Sequence, residues 1–152
     1  MFEVVYFSRT GNTKKVAEAM AAELKIEAKD VKAAGVLPKD AFIFLGTGCY
    51  GATLPKEIDA FMKKNDFRGR IIALFTTSAF GSLAERNLIE KQLTERGAII
   101  THNYKCFGHF LTMKKEHPNP QELEKAKDFA RMVAVTMFPD RAERKKTLAA
   151  KR

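Results

Sequence analysis

The chain has 152 residues, of which 45% are hydrophobic and 30% are charged, and it carries a formal net charge of +9. This length and composition predict one globular domain with its own hydrophobic core. The longest apolar runs, residues 41–45 and 71–75, are far shorter than the roughly 20 residues that a membrane-spanning helix requires, so we expect no membrane span.

The cysteine content predicts a reducing compartment. Two cysteines, Cys49 and Cys106, cannot form a disulfide scaffold, and they are not arranged as a C-x-x-C motif. The chain enters its first predicted strand at once, with an acidic residue inside it, which argues against a signal peptide. We therefore expect a cytoplasmic protein. His102, His109 and His117 lack metal-ligand spacing, so no metal site is predicted.

Strand and helix patterns alternate along the chain, which is typical of an α/β fold with a parallel sheet. The predicted strands cover residues 2–7, 25–28, 41–45, 71–75 and 98–104. The predicted helices begin near Thr13, at Pro55, near Leu83 and at Gln121, and residues 30–39 leave room for only a helical turn or two. Gly97 and Pro139 end the last two helices. The third strand is apolar throughout, so we expect it to be central and covered on both faces.

The sequence divides into a domain at residues 1–138 and a basic tail at residues 139–152. The tail holds six Lys and Arg residues against two acidic residues, a net charge of +4. So basic a surface attracts acidic partners, and its associations are sensitive to salt. The alternative is a solvated basic surface with a frayed tail.

An anion site is predicted between the first strand and the first helix. Ser8, Thr10 and Thr13 supply hydroxyl donors there, and Gly11 permits a tight turn. The N–H groups and the dipole of the helix start favour negative charge at the same place. The loop lacks the glycine-lysine pair of nucleoside triphosphate loops and the glycine spacing of dinucleotide sites, so a monophosphate fits it better. A plain serine or threonine N-cap is the alternative.

The run Ser-Arg-Thr-Gly-Asn-Thr at residues 8–13 resembles the FMN phosphate loop of flavodoxins, Ser/Thr-x-Thr-Gly-Asn-Thr. The resemblance extends over roughly residues 1–137. It implies a three-layer sandwich around a five-stranded parallel sheet of order 2-1-3-4-5, with the ligand beyond the carboxyl ends of the strands. It also implies FMN as the cofactor, its phosphate held by Ser8, Arg9, Thr10, Gly11, Asn12 and Thr13.

Two further loops match the parts of flavodoxins that hold the flavin ring. By resemblance, Tyr50 stacks on the ring and Gly51 allows the following peptide to flip. The candidate cofactor-binding residues of these loops are Thr47, Gly48, Cys49, Tyr50 and Gly51 in one, and Thr76, Thr77, Ser78, Phe80 and Gly81 in the other. Phe80 could equally be a core residue, and residues 106–108 are weaker candidates for closing one side of the site.

The two flavin loops depart from the family in their charge. Many flavodoxins carry an acidic residue in each, whereas residues 46–55 and 76–82 contain none. We therefore expect a less negative reduction potential than in an acidic flavodoxin, because nearby carboxylates repel an added electron. A type II turn centred on residues 51–52 would place Ala52 at positive φ, which suits Gly or Asn better.

The sequence predicts an FMN-binding, flavodoxin-like electron-transfer protein without catalytic residues of its own and with an acidic redox partner. The alternative is an FMN-dependent reductase or dehydrogenase that acts on a quinone, porphyrin or tetrapyrrole substrate. Its substrate would contact residues 105–120, with His109, Phe110 and Met113 as candidates. The oligomeric state stays open.

Two other functions are disfavoured. A cofactor-free module resembling response regulators needs an Asp at the end of the first or third strand, and neither strand has one. Nucleic-acid binding would fit the basic charge, but the aromatic and basic stripe of a nucleic-acid surface is missing from the pattern.

Overall fold

A computed structural model of the chain describes residues 1–108, 115–140 and 149–150. Its strands are β1 (Phe2–Phe7), β2 (Ala28–Asp30), β3 (Phe42–Gly48), β4 (Ile71–Ser78) and β5 (Ile99–Phe107). Its helices are α1 (Asn12–Leu24), α2 (Val31–Ala34), α3 (Lys56–Lys64), α4 (Ala84–Glu95) and α5 (Pro120–Met137). All five strands are parallel and lie in the order β2-β1-β3-β4-β5, which confirms the predicted fold class and strand order.

The helices cover both faces of the sheet and make the three layers. The central strands β1, β3 and β4 are buried on both faces, because alternate side chains point to opposite layers. On one face, Val4, Phe44 and Phe75 belong to the same cluster as Met20 of α1 and Val133 of α5. On the other face, the packed residues are Val5, Leu45 and Leu74 with Val31 of α2, Ile58 and Met62 of α3, and Ile89 and Leu93 of α4.

The second strand lies later in the chain than predicted. Helix α1 continues through Leu24, and Lys25 caps it in the left-handed conformation at φ 58. Strand β2 therefore begins only at Ala28, which pairs with Val4 of β1. The prediction of residues 25–28 as a strand was wrong because an L residue at the left-handed cap gave no glycine signal for the end of the helix.

The third, fourth and fifth strands extend about three residues further than predicted. Gly46, Thr47 and Gly48 pair with Phe75, Thr76 and Thr77, although their composition is typical of a loop. A Cβ at Gly46 would lie 2.0 Å from the buried ring of Phe75, so this glycine serves packing inside a strand. The extensions carry the ends of β3 and β4 into the predicted cofactor loops.

The helix boundaries agree with the sequence to within about one residue. Pro55 is the N-cap of α3 and not its first residue. Helix α5 starts at Pro120 behind a capping box formed by Asn119 and Glu122, and it ends before Pro139. In the part of the chain that the structure describes, no helix is long and apolar enough to cross a membrane. His109, Phe110 and Met113, like most of the basic tail, lie outside the described residues.

Candidate functional site

A cavity of about 710 Å³ opens where the carboxyl ends of β1, β3 and β4 meet. The predicted residues that line it are Arg9, Thr10, Asn12, Gly48, Cys49, Tyr50, Gly51, Thr77, Ser78 and Phe80. Of the weaker candidates at residues 106–108, Gly108 also lines the cavity. The sequence did not single out the other lining residues as binding groups: Ala52, Ala79, Ser82 and Glu85. The volume falls within the range of about 300–1,000 Å³ that is usual for cofactor sites.

The loop between β1 and α1 presents hydrogen-bond donors to this cavity. Gly11, at φ 89, is the N-cap of α1, and its N–H donates to Ser8 Oγ at 3.0 Å. Asn12 Nδ2 donates to Thr10 Oγ1 at 3.1 Å. The first N–H groups of a helix have no partner within it, and the first turn of α1 contains no acidic residue. The helix start is therefore suited to an anion.

Tyr50 connects the loop after β3 to the loop after β1. Its hydroxyl accepts a hydrogen bond of 2.9 Å from the backbone N–H of Arg9, whose guanidinium lies 4.4 Å from the ring centroid. The ring also meets Phe7 edge-on, with centroids 5.8 Å apart. Gly48 leaves room for the tyrosine, since a Cβ there would lie 2.5 Å from its hydroxyl. Burial raises the pKa of Tyr50, against opposing hydrogen bonds from Arg9 and Thr13, so the phenol stays protonated.

The loop after β4 and the end of β5 complete the cavity. Ser78 Oγ accepts hydrogen bonds from the N–H groups of Phe80 and Ser82, at 3.3 and 3.0 Å. The Phe80 side chain is 73% exposed, so the alternative of a core phenylalanine was wrong. Gly108 donates to the Ser78 carbonyl at 3.3 Å, and a Cβ there would lie 2.7 Å from Asn12 Nδ2. A larger residue at position 108 would therefore displace the Asn12 side chain in the loop between β1 and α1.

Six predicted residues are not among those that line the cavity. They are Ser8, Gly11, Thr13, Thr47, Thr76 and Gly81. Thr13 Oγ1 lies 2.8 Å from Thr77 Oγ1, a buried contact that joins α1 to β4. Thr47 donates to the carbonyl of Gly48 at 3.1 Å. Thr76 and Gly81 line a neighbouring cavity of about 240 Å³, which shares Ser78 and Ser82 with the first.

A buried carboxylate reaches the cavity from helix α4. Glu85 Oε1 accepts hydrogen bonds from the N–H groups of Tyr50 and Ala52, at 2.5 and 2.6 Å, and the residue is 1% exposed. Burial opposes its ionisation, but the hydrogen bonds from Ala52, Cys49 and Tyr50 outweigh that effect, so the pKa of Glu85 is lowered. The two loops themselves lack acidic residues, as the sequence shows, but helix α4 brings a carboxylate to the same cavity. Glu85 lies in the first turn of α4. That position was the only feature of the sequence that could have pointed to this residue.

The turn after Tyr50 differs from the predicted type II turn. Gly51 has φ 98 and Ala52 has φ 60, whereas a type II turn requires a negative φ at its first central residue. The expected positive φ at Ala52 is confirmed. Two consecutive positive φ values exclude a type II turn centred on these residues, and an alanine adopts positive φ only at a cost.

The cysteines and histidines of the described residues provide no further reactive group. Burial, together with the Glu85 carboxylate, raises the pKa of Cys49 to about 12, and burial with the charge of Glu122 does the same for Cys106. Both thiols are protonated, and neither forms a disulfide. His117 pairs with Glu122 at 2.8 Å. Among the residues described, no group of His, Cys, Asp or Glu side chains is suited to a metal ion.

Comparison with known proteins identifies relatives along most of the chain. The model of the flavodoxin domain family matches residues 3–118. An uncharacterized protein of Methanocaldococcus jannaschii is 26% identical over 134 residues, which cover 80% of this chain and 89% of that protein. Oxidised flavodoxin 2 of Bacillus cereus has a similar fold, with a TM-score of 0.66 and 22% identity over 89% of this chain and 98% of that one. Two-electron reduced Megasphaera elsdenii flavodoxin gives a TM-score of 0.62 and 22% identity, with coverage of 86% and 99%.

Proposed function

The chain belongs to the flavodoxin domain family and is an FMN-binding flavodoxin-like protein, and we propose that it carries electrons between redox partners. The observation that supports this proposal is the cavity at the carboxyl edge of the sheet, which is lined both by Thr10 and Asn12, from the loop suited to an anion, and by the exposed ring of Phe80. FMN supplies one- and two-electron chemistry when bound, and the protein supplies binding, orientation and electrostatic tuning.

The residues present fit FMN. We place its phosphate at the start of α1, where Thr10, Asn12 and the leading N–H groups offer donors without a competing acid. We place its ring between the loop after β3 and the loop after β4, where Tyr50 and Phe80 supply flat aromatic surfaces. Gly48 and Gly108 preserve the shape of the cavity. A Cβ at Gly48 would enter the space of Tyr50, and a Cβ at Gly108 would enter the space of Asn12.

The exposure of the cavity rim favours an electron carrier over an enzyme with an enclosed substrate. Gly51, Ala52 and Phe80 are all exposed at the rim, so another protein can approach the ring edge closely. In the proposed cycle, a donor protein is oxidised as it passes electrons to this protein, and an acceptor protein is reduced in turn. No proton-transferring side chain is required of the chain itself.

We propose that the partner presents an acidic surface. The chain carries +9 overall, and exposed Arg9, Lys14, Lys15 and Lys105 lie at the end of the sheet that holds the cavity. Opposite charges accelerate encounter and make the rate dependent on ionic strength. We also propose that the protein acts in the cytoplasm, since its two cysteines are both free thiols.

The proposal is tested by anaerobic electron transfer from the reduced, FMN-loaded protein to an acidic ferredoxin. We expect a rate that falls steeply between about 50 and 500 mM salt. Lys15→Gln should lower the rate at low salt, whereas Lys64→Gln, at the far end of α3, should not. An electron-transfer rate that does not change with salt or with Lys15→Gln would overturn the electrostatic encounter. Steady turnover of a quinone or porphyrin without any partner protein would favour the reductase instead.

The basic tail at residues 139–152 is proposed as an auxiliary part of this encounter. Deleting residues 141–152 removes six basic residues and one acidic residue, a net charge of +5. We expect the flavin spectrum to stay the same, because residues 3–118 carry the family match, and the salt dependence to become shallower. Unchanged partner kinetics after truncation would assign the tail to a solvated surface.

A further inference from the structure

Glu85 is the acidic residue that the cofactor loop itself lacks. It is 1% exposed, and burying a carboxylate is costly unless hydrogen bonds or an opposite charge compensate it. Among the described residues, no Lys, Arg or His forms an ion pair with Glu85. Its compensation comes from the loop after β3, through the backbone N–H groups of Tyr50 and Ala52 and the Cys49 thiol. The burial of this charge is therefore coupled to the conformation of that loop.

The two hydrogen bonds bracket Gly51. Both end on Oε1 of Glu85, one from the N–H of Tyr50 and the other from the N–H of Ala52. In a trans peptide the N–H and the preceding carbonyl point in opposite directions, so the Gly51 carbonyl points away from Glu85. The carboxylate therefore fixes the orientation of the peptide that joins Gly51 to Ala52.

The loop needs such a tether. Residues 51–53 are exposed, and both Gly51 and Ala52 have positive φ. Conformations of this kind persist only where surrounding contacts hold them. The hydrogen bond from Arg9 to the Tyr50 hydroxyl holds the tyrosine side chain. The backbone of the turn is held by the two hydrogen bonds to Glu85.

We propose that Glu85 is a positioning residue that holds the Tyr50–Gly51–Ala52 loop in the shape that receives the flavin ring and places a fixed negative charge beside it. The inference rests on the proposed cofactor site. It has two separable parts, since the hydrogen bonds preorganise the loop and the charge disfavours the addition of electrons to a bound cofactor.

Two substitutions separate these parts. Glu85→Gln keeps an oxygen that can accept both N–H groups but removes the charge. Glu85→Ala removes both. Glu95→Gln is the matched control for charge, because Glu95 is exposed and lies ten residues further along α4, about 15 Å away.

The first measurement is amide hydrogen exchange at Tyr50 and Ala52 in the FMN-free protein, followed by NMR. We expect exchange at least about tenfold faster in Glu85→Ala, and close to wild type in Glu85→Gln and Glu95→Gln. Unchanged exchange in Glu85→Ala would overturn the tether. Should that variant not fold, Glu85→Asp takes its place with Glu95→Asp as control, because the shorter side chain draws the carboxylate away from both N–H groups. Faster exchange at the two amides in Glu85→Asp than in Glu95→Asp supports the tether, and equal exchange overturns it.

The second measurement concerns the loaded protein. FMN affinity should fall about tenfold in Glu85→Ala and stay within about threefold of wild type in Glu85→Gln. The midpoint potential, measured against redox dyes, should become less negative in Glu85→Gln than in Glu95→Gln. Equal potentials in these two variants would overturn the role of the charge. Failure of the wild type to bind FMN would refute the proposed cofactor site, and the exchange data would still decide whether Glu85 tethers the loop.

Discussion

The backbone N–H of Arg9 donates a hydrogen bond of 2.9 Å to the hydroxyl of Tyr50, which lies 41 residues later in the chain. This contact joins the loop that is suited to a phosphate to the loop that is suited to an aromatic ring. The Arg9 guanidinium, 4.4 Å from the same ring centroid, adds a second contact between the two loops. The loop after β1 and the loop after β3 are therefore in direct contact without a ligand.

The Arg9–Tyr50 contact predicts a small, specific loss of stability. Tyr50→Phe should lower the free energy of unfolding of the FMN-free protein by roughly 0.5–1 kcal/mol, because one partly exposed hydrogen bond is lost. Urea denaturation measures this loss. Arg9→Ala keeps the backbone donor and should cost less, since it removes only an exposed cation over the ring. A larger loss in Arg9→Ala than in Tyr50→Phe would mean that the guanidinium holds the loops together.

Two glycines of β3 predict contrasting outcomes. Gly46→Ala should cost about 3 kcal/mol or more in urea denaturation, because its Cβ would lie 2.0 Å from the fully buried ring of Phe75. Gly48→Ala should cost only about 1 kcal/mol, because the obstructing atom is the end of the Tyr50 side chain, which can rotate. Gly48→Ala should nevertheless weaken FMN binding, as the displaced tyrosine loses its place in the cavity. Equal stability of the two variants would contradict the inference that Gly46 faces a fixed ring and Gly48 a side chain that can move.

The positive φ angles at Lys25 and Ala52 predict gains in stability from glycine. Their φ values are 58 and 60, where an L side chain is strained. Lys25→Gly and Ala52→Gly should each be neutral or raise the free energy of unfolding by up to about 1 kcal/mol, since relief of strain exceeds the entropy cost of glycine. Ala22→Gly, at an exposed position inside α1, should lower it by about 1 kcal/mol. Thermal denaturation distinguishes these outcomes. If Ala52→Gly lowers the stability as much as Ala22→Gly does, the positive φ at Ala52 is not strained.

The raised pKa values of Cys49 and Cys106 predict slow alkylation. With a pKa of about 12, each folded thiol holds on the order of a thousandfold less thiolate between pH 7 and 8 than an ordinary cysteine does. Labelling by iodoacetamide should be slow in the native protein and fast in urea, and the native rate should still be rising at pH 10. Rapid native labelling of Cys49 near pH 7 would show a thiolate in the cavity.

The α/β fold class could be predicted from local signals, and the strand order followed from the resemblance to flavodoxins. Alternating apolar and helical patterns specify an α/β fold, and the hydroxyl-rich loop before α1 specifies an anion site. The extension of β3 through Gly48 could not be predicted, since its glycines serve packing against Phe75 and Tyr50 from distant parts of the chain. Glu85 was missed for the same reason. It belongs to a helix, and only the tertiary structure brings it to Tyr50 and Ala52.

The measurement that tests the account most directly is the affinity of Thr10→Ala and Asn12→Ala for FMN and for riboflavin, followed by flavin fluorescence. Riboflavin lacks the phosphate and serves as the matched control. If the loop at residues 8–13 holds the phosphate, each variant should bind FMN more weakly by roughly 1–3 kcal/mol, with little change for riboflavin. Affinities for FMN that stay at wild-type values, or that fall equally for both ligands, would contradict the placement of the phosphate at the start of α1.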